Sequence, residues 1–111
     1  MKREHMCPVV QTARLIGKKW DLIVIRYLLD GPKRFVELKA EIPDVSSKSL
    51  SATLKQLNSK GMIQRNVEST FPVSVVYSLT KMGREMGDIV EAMRHWGEKW
   101  ALPYAAHSSR R

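Results

Sequence analysis

The chain has 111 residues, 43% of them hydrophobic, with 19 Lys and Arg against 11 Asp and Glu and a formal charge of +8. That length bounds it at one domain, residues 1–111, with a single modest core, and the hydrophobic share excludes a disordered tail. A charge this far from zero speaks to partners rather than to fold: nucleic acid is the usual polyanion, and an anionic membrane surface is the rival.

The membrane reading is the weaker one, because the longest apolar stretch, near residues 22–25, is far too short to span a bilayer. Residues 1–5 lead into no apolar signal region. One cysteine cannot form an intrachain disulfide. The chain is therefore expected in the cytoplasm.

Pro8 is placed to open a first helix, over residues 9–16, which Gly17 ends. A second helix is predicted over residues 20–30. Its Leu22, Ile23, Ile25, Leu28 and Leu29 are apolar on several sides, as expected of a central core helix, and Asp30-Gly31-Pro32 stops it. Residues 33–35 read as a short strand or as the lead-in to a third helix ending near Glu41. Pro43-Asp44 marks a turn. Ser46 or Ser47 can then N-cap a fourth helix that ends near Lys60, with Gly61 beyond it.

The period changes after Gly61. Met62, Ile63, Val67, Val73, Val75, Tyr77 and Leu79 predict two strands around a loop at residues 69–74, where Pro72 breaks no ladder. Thr80 can cap a last helix over residues 81–101, ended by Pro103, with a mobile tail from Ala105.

Residues 45–67 carry the strongest signal: four basic residues (Lys48, Lys55, Lys60, Arg65) and no acidic one. Leu50, Leu54 and Leu57 lie on one helix face. The opposite face reads Lys48, Ser51, Ala52, Lys55 and Ser59. Alone, such a face is ordinarily just solvated. With a short helix and tight turn before it and a hairpin after it, it becomes the reading helix of a winged helix-turn-helix. The fold class expected is α+β, mainly α: a winged helix-turn-helix domain with a C-terminal dimerisation helix.

The residues also resemble a known family, the HxlR-type winged helix-turn-helix transcriptional regulators, relatives of the MarR group. The resemblance runs from Cys7 to Gly97. It rests on Cys7-Pro8, Ile16-Gly17-Lys18-Lys19-Trp20, Arg34-Phe35, Glu37-Leu38, Ile42-Pro43, Val45-Ser46, Leu50, Leu54-Lys55, Leu57, Gly61-Met62-Ile63, Arg65, Phe71-Pro72, Tyr77-Ser78-Leu79-Thr80, Gly83 and Trp96-Gly97. Lys18 stands where the family usually has a second glycine, and Val76 where it usually has glutamate. The resemblance implies a homodimer on an inverted-repeat operator that represses or activates a nearby promoter.

Four site assignments follow. Ser46, Ser47, Lys48, Ser51, Ala52 and Lys55 are expected at double-stranded DNA, since hydroxyls bond base edges, an alanine methyl packs on thymine, and lysines meet phosphates. Lys33, Arg34, Arg65 and Asn66 are candidate phosphate or wing contacts, with ordinary surface charge as the alternative. Met86, Ile89, Val90, Met93, Trp96 and Trp100 form an apolar stripe expected at a homodimer interface, with the first helix as its second component, although part of it packs on the chain's own core. Cys7, near Arg3 and His5 and just before a helix N-terminus, is a candidate sensor of an oxidant or small-molecule electrophile, since the cations and the helix dipole both favour thiolate. A buried, inert cysteine is the alternative. Some members of the resembled family are known to sense through the cysteine at this position.

Catalysis, cofactor and metal are not expected. His5, His95 and His107 are scattered, and one cysteine cannot complete a usual zinc set. Gly17-Lys18 lacks the upstream glycine of a phosphate loop, and no Gly-x-Ser-x-Gly elbow occurs. The rival to a DNA-binding regulator is a winged-helix protein-interaction module with weak, non-specific DNA binding.

Overall fold

In the computed structural model, which describes residues 6–108, the elements run α1 (Pro8–Leu15), α2 (Lys19–Leu28), α3 (Phe35–Glu41), α4 (Ser47–Ser59), β1 (Ile63–Thr70), β2 (Val73–Leu79), α5 (Lys81–Arg84), α6 (Gly87–Trp96), a π-helical turn (Gly97–Ala101) and α7 (Leu102–Ser108). Pro8 opens α1, where its missing N–H costs nothing. Gly17 ends it by close approach: a Cβ there would lie 2.0 Å from the Ala13 carbonyl oxygen. Side chains cap the next three starts. Asp21 accepts from the Lys18 N–H at 3.3 Å, Glu37 from the Arg34 N–H at 2.8 Å, and Ser46 Oγ from the Ser49 N–H at 3.0 Å. Ser46, not Ser47, is thus the cap of α4. Gly61, in the left-handed region at φ 80°, turns the chain out of α4.

The core gathers Val24, Ile25 and Leu28 of α2, Leu38 of α3, Ile42 and Val45 of the turn, and Leu50, Leu54 and Leu57 of α4. Ile16, Met62, Ile63, Leu79 and Met86 close it from the flanks. Each fully buried side chain of this kind stabilises the fold by roughly 1.5–3 kcal/mol. Because α2 and α4 share that core, α4 is clamped along its leucine face and its other face is left outside.

The strands β1 and β2 pair antiparallel from Ile63↔Leu79 to Thr70↔Val73, with a slip between Val67 and Ser69. They extend into the stretch expected as loop, leaving Phe71 and Pro72 at the tip, joined by a cis peptide. Residues 33–35 form no strand and lead into α3, with Lys33 making an isolated bridge to the wing. Lys33 exchanges two main-chain bonds with Tyr77, at 2.9 and 2.8 Å, and α3 starts two residues later.

The C-terminal region departs most from the expectation of one helix over residues 81–101. Thr80 caps α5 as predicted, but α5 stops after four residues. Gly83 packs so tightly that a Cβ would sit 2.2 Å from the Met62 carbonyl oxygen. The chain then turns so that Met86 enters the core. Pro103 does not end the helix either. Its ring would crowd the carbonyl four residues back, and it has no N–H to donate. The π-helical turn before it, in which the Leu102 N–H reaches the Gly97 carbonyl, widens the helix and lets it pass. Residues 105–108, expected as tail, are helical, and residues 109–111 lie outside the described residues.

Candidate nucleic-acid interface

At about 100° per residue, Ser47, Ser51, Lys55, Lys48 and Ala52 fall within an arc of about 140° on α4, and Leu50, Leu54, Leu57 and Thr53 fall opposite. All of the first set are exposed and all of the second buried. Thr53 is tolerated inside because its hydroxyl donates to the Ser49 carbonyl at 2.8 Å. The first turn of α4 holds no acid, whereas α2 and α3 carry Asp21 and Glu37 there. The partial positive charge of this helix start is thus left without a carboxylate. Lys48 and Lys55 make no ion pair among the described residues. Ser46 is exposed beside them, its oxygen committed to the cap and its hydroxyl proton still able to donate.

The other basic candidates divide by geometry. Arg34, at the start of α3, is exposed. Lys33 is turned to Glu41 at 3.1 Å and its side chain is only 16% exposed, so its charge is largely spent inside the protein. Arg65 and Asn66 are adjacent in β1 and therefore point to opposite faces of the hairpin. Arg65 lies opposite Tyr77 in the row that continues Ile63↔Leu79. Asn66 shares the other face with Gln64, and both amides reach Ser78 Oγ at 3.3 Å. Lys60, the remaining cation of the basic stretch, faces away from α4's outer arc and donates to the Leu15 carbonyl at 2.6 Å. At the wing tip Phe71 is 96% exposed.

A second surface is apolar. Ile89, Met93, Trp96 and Trp100 are exposed and Val90 half-buried, with Trp96 at 64% and Trp100 at 55%. Met86 does not belong to this surface, because the break after α5 turns it into the chain's own core. The stripe instead runs past Pro103: Trp96, Trp100, Pro103, Tyr104 and His107 line one hollow. Reading Pro103 as a stop concealed Tyr104 and His107, although the i, i+4 spacing of Trp96, Trp100 and Tyr104 carried the signal. A groove of about 750 Å³ lies between α2 and α6, lined by Trp20, Ile23, Tyr27, Val90 and Met93 with Arg26 and Arg94 beside them. None of the residues of α1 is buried, and Val9 and Val10 are exposed.

Cys7 is exposed and stands at the N-cap of α1. Arg3 and His5, expected near it, lie outside the described residues. Among the described residues no cluster of His, Cys, Asp and Glu is arranged to hold a metal ion, and no helix is long and apolar enough to cross a membrane.

Comparison with known proteins bears on this arrangement. The HxlR-like helix-turn-helix model matches residues 15–104, beginning at the end of α1 and so leaving Cys7 outside the match. The HTH-type transcriptional regulator YodB of Bacillus subtilis is 37% identical over 99 residues, which cover 88% of this chain and 88% of YodB. Among solved structures, the redox regulator HypR in its oxidized form superposes with a TM-score of 0.78 at 39% identity, over 84% of this chain and 96% of HypR. Quinone-bound YodB from B. subtilis superposes with a TM-score of 0.70 at 34% identity, over 86% of this chain and 100% of its own.

Proposed function

The chain belongs to the HxlR-like helix-turn-helix family, and from that premise we propose that it is a sequence-specific DNA-binding transcriptional regulator acting as a homodimer on an inverted-repeat operator. The observation that carries this reading is the outer arc of α4: hydroxyls, one methyl and two lysines without an ion pair among the described residues, opposite a buried leucine stripe. A helix so fixed can lie in a major groove, with Ser47, Ser51 and Ala52 at base edges and Lys48 and Lys55 at bases or phosphates. Ser46, Arg34 and Arg65 flank it at the backbone, and Asn66 contacts DNA from the other face of the wing. Lys33 contributes least, since Glu41 holds its ammonium.

The apolar stripe from Ile89 to Tyr104, together with α1, supplies the dimer contact. A two-fold axis then sets the two α4 helices about one DNA turn, roughly 34 Å, apart. Selection of bound sites from a random double-stranded pool tests the proposal. A two-fold symmetric site and a steep loss of affinity with salt are expected. Equal affinity for all sequences, or a monomer that binds only a foreign protein, would support the interaction-module reading instead.

An effector acting at Cys7 extends the proposal. Its thiol is exposed at the start of α1, and the relatives include a redox regulator and a quinone-bound regulator. A conjugated electrophile such as a quinone adds the sulfur to a ring carbon, and the thiol proton passes to the quinone oxygen. Cys7→Ser is expected to abolish any change in DNA affinity on treatment with quinone or oxidant. A wild-type protein that shows no such change would refute the sensing role alone and leave DNA binding untouched.

A further inference from the structure

We propose that Lys60 is a positioning residue that sets the spacing between the two reading helices of the dimer, by fastening the end of α4 to the end of α1; the inference rests on the dimer reading above. Lys60 closes α4, and its Nζ donates to the Leu15 carbonyl oxygen at 2.6 Å, across 45 positions of sequence. Leu15 is the last residue of α1. Carbonyls at a helix end have no intrahelical partner and carry the negative pole of the helix, so an ammonium is the fitting donor. The bond matters because α1 is otherwise held only at its end. It buries no residue fully; half-buried Leu15 packs against the core, and Ile16 just beyond it is buried there.

The same corner of the fold holds the C-terminal helices. The single Thr80 hydroxyl proton is shared between the carbonyls of Gly61 and Met62, at 2.6 and 3.0 Å, and the oxygen accepts from the Gly83 N–H at 3.2 Å. The Thr80 N–H also donates to the Met62 carbonyl at 3.0 Å. Residues 60–62, at the end of the reading helix, are thus bonded to the chain leading into both apolar surfaces. The two sides differ in strength. Thr80 is braced by main chain, side chain and the close packing of Gly83, whereas the polar link from α4 to α1 is the Lys60 side chain, beside the packing of Leu15 and Ile16 on the shared core. Lys60 is therefore where a single substitution can loosen the link and leave the core intact.

Adding or removing one base pair at the centre of an inverted repeat moves the half-sites by about 3.4 Å. A stiff dimer resists that change and a loose one follows it. The test measures affinity of the wild type, Lys60→Met and Lys60→Arg for the selected site, for that site with one central base pair added or removed, and for an isolated half-site. It also follows amide exchange in α1. A bond to a charged group is worth on the order of tenfold, so Lys60→Met is expected to lose about that factor of spacing discrimination. It should bind the half-site as the wild type does and exchange the α1 amides faster. Lys60→Arg should keep the wild-type pattern.

Full discrimination in Lys60→Met, or equal weakening at every site including the half-site, overturns the proposal; the second result would make Lys60 a phosphate contact. If Lys60→Met does not fold, Lys60→Gln, which keeps a shorter neutral donor, replaces it with the same expectation. A monomeric wild type would instead sink the dimer reading, and the α1 exchange rates would still report whether Lys60 holds that helix.

Discussion

Lys48 and Lys55 differ from Lys33 and Lys60 in what their ammonium groups face. The first pair stands on an open helix face, whereas the second is turned to Glu41 and to the Leu15 carbonyl. Each phosphate contact contributes about 0.9 to the slope of log affinity against log salt. Lys48→Ala and Lys55→Ala are each expected to reduce that slope by about one, whereas Lys33→Ala should change it little. Anisotropy titrations at several salt concentrations check this, and unchanged slopes for both α4 variants would refute their assignment. On α6, Glu91 is held below the ordinary carboxylate range, chiefly by a hydrogen bond from Arg94; a slight loss of hydration opposes this, and the charges of Arg94 and His95 add to it. A carboxylate with a lowered value in the folded state contributes stability that is present above the ordinary range and lost as pH falls through the lowered value. Arg94, raised by the same bond, is charged on both sides of that window. In Arg94→Ala the Glu91 titration, followed by NMR, should move up toward the ordinary range; a titration that stays in place would show that the bond does not form in solution.

At the scale of elements, the contrast between α4 and the C-terminal helices is instructive. α4 keeps one uninterrupted run because its leucines, cap and terminal glycine agree. The stretch from Lys81 carries three glycines and a proline, and Gly83, Gly87 and Pro103 each shape it for a different reason. Gly83 lets α5 rest on the Met62 carbonyl, Gly87 begins α6 after Met86 has turned inward, and Pro103 is accommodated by a π-helical turn. Gly83→Ala would drive a methyl onto the Met62 backbone. It should destabilise by roughly 1–3 kcal/mol, as overpacking does, read as a lower midpoint in urea with an unchanged slope. An unaltered midpoint would mean that α5 does not sit against Met62.

For the whole molecule, the distribution of surface types is the argument. A basic arc on α4 and a separate apolar stripe on α6 and α7 lie on different elements, and the proposed function assigns them to two kinds of partner, one polyanionic and one apolar. Trp96 and Trp100 are large, exposed, and placed at the middle of the stripe. Interface anchors of this type cost roughly 2 kcal/mol or more when truncated. Under the proposed dimer, the double variant Trp96→Ala, Trp100→Ala is therefore expected to sediment as a monomer at concentrations where the wild type is expected to pair. It should lose affinity for the full inverted repeat and retain its affinity for one half-site. A variant that remains dimeric would move the interface elsewhere.

What could be read from residues alone was whatever depends on local pattern. The leucine stripe of α4, its serine cap, Gly61, the Thr80 cap and the two β-runs are written in spacing and turn chemistry, and so is the excess of positive charge on one helix face. Tertiary structure decided what depends on distant neighbours. That Lys60 meets Leu15, that Lys33 meets Glu41, and that Arg65 and Asn66 part to opposite faces follow from packing and register. So does the inward turn of Met86, whose apolar side chain fits the exposed stripe and the core equally well by periodicity; the close contact of Gly83 with Met62 selects the core. Pro103 shows the reverse limit: a residue that stops a helix by local rules sits inside one once the backbone widens ahead of it.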